Sequence, residues 1–317
     1  MVHTIGIFVV PNFQLLDAAG PIAAFELASR DTSPPAYRLR VLAREPGLVV
    51  SSSGVTLVAE GLRASARLDT LIVAGGPGAR ETAPDGDTLA LIRATAVTAR
   101  RVASVCTGAF LLAAAGLLDG KRATTHWRRA ASLAGLYPQI RVEPDRIFVR
   151  DGNLWTSAGI TAGIDLALAL IADDLGDAVA KRTAQQLIVY HRRPGGQSQF
   201  SALLELEQPG GRFGELLDWA RERLHEPMPV ERLAERGAMS PRHFARAFAA
   251  ETGVTPAKAI ERLRLEVARS RVEAGIEPID RIAERTGFGD PERMRRAFIR
   301  AFGQPPQALR RAARAAA

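Results

Sequence analysis

The chain has a single cysteine, Cys106, so no intrachain disulfide can brace it. Lysine is nearly as scarce, with only Lys121, Lys181 and Lys258 against 39 arginines. A GC-rich genome produces such a bias by itself, so arginine abundance alone names no partner. Long apolar runs are also missing. The longest uncharged one, residues 109–118, has ten residues, whereas a bilayer-spanning helix needs roughly 20. The start, Met1-Val2-His3-Thr4, has no basic segment, and residues 5–10 read as a strand rather than the apolar core of a signal peptide. The expectation is a cytoplasmic protein with no membrane partner.

What is present points to two domains. The chain has 317 residues, against a prior of roughly 150 per domain. A composition 47% apolar and 24% charged is ordinary for globular proteins and excludes wholesale disorder. The net charge of +8 makes nucleic acid a candidate partner. That charge is uneven. Residues 213–317 carry 20 basic and 15 acidic side chains, and the last 33 residues hold eight arginines against two acids.

The first half alternates strand-like and helical patterns. Residues 5–10 form an apolar run followed by helical spacing over 15–28. Residues 37–43 and 70–74 are further strands, the second running into Gly75-Gly76-Pro77-Gly78. Residues 102–105 are another, followed at once by a helical run over 108–118, and 159–175 is a last helical pattern. Short buried strands alternating with helices predict an α/β domain with a mostly parallel sheet. Clustered Pro, Gly and Gln place a linker at 192–212. The expected domains are therefore 1–191 and 213–317, and the second shows no strand pattern.

The second half repeats itself. Leu233-Ala234-Glu235-Arg236 recurs as Ile282-Ala283-Glu284-Arg285 at an offset of 49. Pro241, Arg246, Ala247, Phe248, Gly253 and Pro256 recur as Pro291, Arg296, Ala297, Phe298, Gly303 and Pro306 at an offset of 50. Each copy reads helix, tight turn, helix. Ser240 and Asp290 stand as N-caps, with Pro241 and Pro291 at the first helical positions. Phe244 and Phe248, and then Met294 and Phe298, form inward stripes at i and i+4. Arg242, His243 and Arg246 lie off the first stripe, and Glu292, Arg293, Arg295 and Arg296 off the second. Arginines on the outer face of such a second helix suit entry into the DNA major groove.

With Leu233-Ala234, Met239-Ser240, Arg242, Phe244, Arg246, Phe248, Gly253 and Pro256, and their second copies, residues 213–317 resemble the DNA-binding domain of AraC/XylS-type regulators. The resemblance implies two helix-turn-helix units joined by a long helix over about 256–273. Met294 and Leu309 depart from the pattern with other apolar residues.

Strand 102–105 runs straight into Cys106-Thr107-Gly108 and a helix. A thiol on a sharp strand-to-helix turn sits near helical N–H groups, which favour the thiolate. Gly75 and Gly76 offer backbone donors to an anionic oxygen. Asp17 and His126 are candidate acid/base partners. Ser104-Val105-Cys106-Thr107-Gly108, Ala123-Thr124-Thr125-His126-Trp127, Leu16-Asp17-Ala18 and Thr156-Ser157-Ala158-Gly159 resemble the PfpI-like domain of the class I glutamine-amidotransferase-like superfamily, in the version fused to AraC-type domains in GlxA-type regulators. The resemblance implies a flavodoxin-like fold that dimerises, with Asp17, Gly75, Gly76, Cys106, Thr107, His126 and Ser157 around a ligand. Thr107 stands where peptidase-like relatives have His.

The expectation is a sequence-specific transcription regulator rather than an enzyme. It needs no cofactor or metal, binds double-stranded promoter DNA as a homodimer, and answers to a small effector such as an amino acid, betaine or amide. The rival readings are a Cys106-dependent hydrolase or hydratase and a constitutive nucleic-acid-binding protein.

Overall fold

Both faces of the first strand are buried. In β1 (His3–Phe8), Ile5 and Ile7 enter one apolar core and Phe8 the other. A strand apolar on both faces belongs between two helical layers. The computed structural model describes residues 2–30, 32–63, 67–81, 85–189, 193, 195, 206 and 211–315, so most of the joint expected at 192–212 lies outside the described residues. The chain divides into two units, Met1–Gln199 and Phe200–Ala317.

After β1 the first unit continues with α1 (Leu15–Arg30), β2 (Tyr37–Ala43), β3 (Gly47–Val50), β4 (Thr56–Gly61), β5 (Thr70–Val73), α2 (Gly78–Glu81) and α3 (Gly86–Thr98). Next come β6 (Arg101–Val105), α4 (Gly108–Ala114), β7 (Arg122–Ala123), α5 (Trp127–Leu136), β8 (Arg141–Val142), β9 (Phe148–Asp151), β10 (Leu154–Ser157), α6 (Ala162–Leu175) and α7 (Asp177–Gln186). Eight strands form one sheet in the order β3-β4-β2-β1-β5-β6-β10-β9. All neighbours are parallel except β3 with β4 and β9 with β10. Phe25 of α1, Leu166 and Leu170 of α6 and Ala180 of α7 cover one face, while Ile92 of α3 and Leu112 of α4 cover the other. This is the expected flavodoxin-like α/β fold. The two antiparallel hairpins at the sheet edges escape a helix-and-strand alternation rule because they have no helix between their strands.

A buried ion network closes the amino-terminal ends of the central strands. Arg101 pairs with Asp173 at 3.1 Å and with Asp174, while Tyr37 Oη and Arg100 also bond Asp174. The carboxyl ends remain free to carry a site.

The second unit contains α8 (Gly214–Glu222), α9 (Val230–Arg236), α10 (Pro241–Thr252), α11 (Pro256–Ala274), α12 (Ile279–Arg285), α13 (Pro291–Phe302) and α14 (Pro306–Ala315). No strand occurs among its described residues. The long helix α11 serves two cores in turn. Ala259, Ile260 and Leu263 pack with Phe244 and Phe248, whereas Leu265, Ala268 and Val272 pack with Met294 and Phe298.

The two copies fold alike. Gly237, Ala238 and Met239 donate to Leu233, Glu235 and Ala234; Thr286, Gly287 and Phe288 donate to Ile282, Glu284 and Ala283. The left-handed turn residue is Ala238 (φ 51°) in one and Gly287 (φ 76°) in the other. Gly289 is the inserted residue that changes the offset. Asp290 caps α13, its carboxylate accepting from Glu292 and Arg293 N–H. Ser240 occupies the matching N-cap but its hydroxyl makes no capping bond, contrary to expectation. Pro241 brings no N–H to that end, which leaves one donor fewer to satisfy.

Candidate ligand site and nucleic-acid interface

Parallel strands bring their carboxyl ends to one edge of a sheet, where ligand sites of α/β domains form. Here the segments after β1, β5, β6 and β10 meet. Cys106 turns the chain from β6 into α4 with φ 56°, a left-handed conformation. Its N–H donates to Ser157 O at 3.0 Å, and its carbonyl accepts the Thr125 hydroxyl at 2.7 Å. The Thr107 hydroxyl donates to Gly76 O at 2.9 Å and accepts from Gly76 N–H at 2.7 Å. Neither neighbouring glycine has room for a side chain. A Cβ on Gly75 would stand 2.5 Å from Thr107 N, and one on Gly159 would stand 2.1 Å from Cys106 Cβ.

Asp17, fully buried in the first turn of α1, enters this cluster. Its Oδ1 accepts from Ile160 N–H at 2.7 Å. Its carboxylate also faces the Cys106 thiol and the Gly75 backbone. The structure thus brings Asp17, Gly75, Gly76, Cys106 and Thr107 together. Ser157 contributes its carbonyl, while its hydroxyl lies 3.4 Å from Ser104 O. His126 is engaged elsewhere. It heads α5, its Nδ1 accepting from Arg128 N–H at 3.3 Å, and stacks on Trp127. No hydrogen bond joins it to Cys106 or Asp17 among the described residues. Thr125 and Gly159 belong to the stretches that carry the resemblance but were not expected at the site, and Ile160 was not singled out. Only the glycine of Ala158-Gly159, next to a buried strand end, signalled a close approach.

Burial governs the electrostatics. It raises the Asp17 carboxyl to about 6, against the lowering effect of the Ile160, Cys106 and Gly75 contacts. It pushes the Cys106 thiol up to about 12, with the Asp17 charge adding to the rise. The Thr107 amide and hydroxyl favour the thiolate but do not prevail. The expected activation of the thiol is therefore overturned, and at neutral pH Cys106 is a protonated donor beside a carboxylate. His126 is held below its ordinary value by burial and by Arg128 and Arg129.

In the second unit, α10 exposes Arg242, His243 and Arg246, and α13 exposes Glu292, Arg293, Arg295 and Arg296. The inward stripes are as spaced, with Phe244, Phe248, Met294 and Phe298 all buried. The arginines differ in pairing. Glu292 holds Arg295 through bonds of 2.7 and 3.0 Å, which also keeps the Glu292 carboxyl below its usual range. Arg242, Arg246, Arg293 and Arg296 form no side-chain hydrogen bond or ion pair among the described residues. A concavity of about 350 Å³ between α11 and α13 is lined by Glu261, Arg264, Arg293, Arg296 and Arg300. Arg264 donates to Leu224 O and Glu226 O, and its pKa is lowered by burial and by Arg293. One carboxylate among four guanidiniums leaves this face strongly cationic.

Comparison with known proteins matches both units. Residues 3–173 match the DJ-1/PfpI family and residues 233–312 a helix-turn-helix domain. The chain is 30% identical over 312 residues to the HTH-type transcriptional regulator GlxA of Rhizobium meliloti, covering 98% of this chain and 96% of that one. It is 40% identical over 190 residues to an isonitrile hydratase of Pseudomonas putida, covering 59% of this chain and 78% of that enzyme. A THiJ/PfpI family protein from Pseudomonas syringae superposes with a TM-score of 0.56 at 28% identity, covering 70% of this chain and 87% of that one. The match along nearly the whole chain is to a transcription regulator, and the match to an enzyme is partial. The chain belongs to the DJ-1/PfpI family, among the DNA-binding transcription regulators that carry this domain together with an AraC-type helix-turn-helix unit.

Proposed function

We propose that this regulator acts in the cytoplasm as a homodimer whose promoter occupancy is set by a small polar metabolite bound at the Asp17–Cys106 site. The observation that carries the reading is the pairing of two things in one chain. One unit presents unpaired arginines on two matched helices. The other buries the Asp17 carboxylate beside the Cys106 thiol at the carboxyl edge of its sheet. A buried carboxylate is costly, and a ligand donor, such as the N–H of an amino acid or amide, would stabilise it. Metabolite binding shifts promoter occupancy only if it favours one arrangement of the DNA-binding units over another.

For the dimer, Leu48, Val50, Val55 and Val58 are exposed on the β3–β4 hairpin, with Leu48 directly opposite Val58. β3 is an edge strand, and unpaired edges left apolar pair with another chain. A second copy in two-fold symmetry covers this face without leaving an open edge.

The unpaired arginines define the DNA test. Binding to a library of single-base operator variants is compared for the wild type and each Arg→Ala substitution. Losing a bidentate arginine–guanine pair costs about 1–3 kcal/mol and relaxes specificity at one base. At least one of Arg242 and Arg246, and one of Arg293 and Arg296, should behave this way, while Arg295→Ala should not. If all four unpaired-arginine variants keep the wild-type rank order of sites, these helices do not read the sequence. A thermal-shift screen of amino acids, betaines and amides tests the metabolite site, with loss of the shift in Asp17→Asn as the expected result.

A second reading is favoured by one observation, the left-handed turn that carries Cys106 beside Asp17. It makes the N-terminal unit a hydratase acting on a small isonitrile-like substrate. Isonitrile turnover that vanishes in Cys106→Ser would establish it; the raised thiol pKa argues against it.

A further inference from the structure

We infer that Arg193 is a tether through which the Asp17–Cys106 site holds the chain segment that leads to the DNA-binding unit. The inference rests on the sensing role proposed above and supplies its route.

The route starts at a strained loop. Gly159 has φ 91° and Ile160 φ 52°. Two consecutive left-handed residues are unusual, and a β-branched one is costly there. Such strain persists only where surrounding contacts impose it. The contacts here are those of the candidate site. Asp17 Oδ1 accepts the Ile160 N–H at 2.7 Å, and Gly159 lies so close to Cys106 that a Cβ on it would stand 2.8 Å from Sγ. A ligand that recruits the Asp17 carboxylate, or occupies space beside the thiol, removes what keeps Ile160 left-handed.

The next residue carries the change outward. The Thr161 hydroxyl accepts from Arg193 Nη2 at 2.9 Å. One turn further on, Asp165 grips the same residue three times. Oδ1 accepts from Arg193 N–H at 2.9 Å, and Oδ2 accepts from Nε at 3.0 Å and Nη2 at 2.7 Å. Asp165 is only 3% exposed. Burying a carboxylate is expensive unless it is paired, so Asp165 requires this one arginine. The chain then passes β9, where Phe148 N–H donates to Gly195 O at 3.3 Å. A buried carboxylate that shares its arginine with the strained loop gives Arg193 two defined states, held and released.

The test uses the full-length chain and hydrogen exchange at the peptide containing Arg193, in wild type, Asp17→Ala, Asp165→Ala and the double variant. Loss of a charge-assisted buried contact accelerates local exchange by about tenfold or more. Both single variants should show this, and the double variant should exceed neither, because both release one contact. If Asp165→Ala releases Arg193 and Asp17→Ala leaves it at the wild-type rate, the pair only staples the segment and the inference fails. Thr161→Val supplies a second measurement that leaves the Asp17 cluster intact. Coupling is reciprocal, so it should speed exchange of the Ile160 N–H, and an unchanged rate there also overturns the route. Operator affinity of the same variants is a separate readout. Exchange at Arg193 decides the tether, whereas affinity unmoved by any of these substitutions counts against ligand control itself.

Discussion

Asp17 shows how burial changes the chemistry of a residue by placing its charge where it is unwelcome. An exposed aspartate in a first helical turn would stabilise the helix dipole. Here burial raises its pKa from 3.8 to about 6. The sign follows from proton binding. Between those values the folded state binds more protons than the unfolded one, so the contribution to stability is complete below the unfolded pKa and is lost as pH rises through the folded one. At neutral pH the cost is on the order of 2–3 kcal/mol. Asp17→Asn keeps an acceptor for Ile160 N–H and removes the charge. It should therefore stabilise the protein at pH 8 by about that amount and have little effect at pH 4. Urea unfolding of both proteins at the two pH values measures this; an equal difference at both would show that Asp17 titrates normally.

At the scale of the element, the duplicated helix-turn-helix tests backbone and packing against each other. Ala238 and Gly287 occupy the same left-handed turn position. A side chain there costs roughly 1–2 kcal/mol, part of which the greater unfolded-state freedom of glycine returns. Ala238→Gly should therefore stabilise the second unit by about 0.5–1 kcal/mol. The reverse change should not be tolerated. A Cβ on Gly287 would stand 1.8 Å from Leu224 O and 2.7 Å from Arg264 Nε. Gly287→Ala should cost roughly 2–3 kcal/mol through strain and overpacking, and it should displace Arg264, which lines the cationic concavity. Thermal unfolding of the two variants checks both signs. If they move stability in the same direction, the turns are not equivalent.

At the scale of the molecule, each unit has its own apolar cores, so the activities should separate. Phe200–Ala317 alone should bind DNA and Met1–Gln199 alone should not. Affinity should fall steeply with salt, because each phosphate neutralised contributes a slope of about −0.9 in the logarithmic plot. Retention of DNA binding by the N-terminal fragment in mobility shifts would overturn this division. Val58→Asp places a charge opposite Leu48 on the exposed hairpin. In sedimentation it should shift the protein to monomer while leaving the fold intact, and an unchanged dimer would move the interface elsewhere.

The layering of the molecule was legible in the chain because it depends on local periodicity. Ile5, Ile7 and Phe8 announce a strand buried on both sides, and the stripes Phe244–Phe248 and Met294–Phe298 orient α10 and α13 without any knowledge of their partners. The recurrence of Pro, Phe and Gly at an offset of 50 revealed the duplication. Pairing was not legible. Helical spacing places both Arg295 and Arg296 within reach of Glu292 and leaves Arg293 out, but nothing in the sequence says which of the two is neutralised, because that depends on which rotamers meet across a helical turn. The same limit applied at Cys106. Its strand-to-helix turn was visible, but its protonation was decided by the depth of burial and by Asp17, 89 positions away in the chain. Likewise, Ile160 and Arg193 carry no motif. Their roles arise where four strand ends converge, and only the assembled sheet brings those ends together.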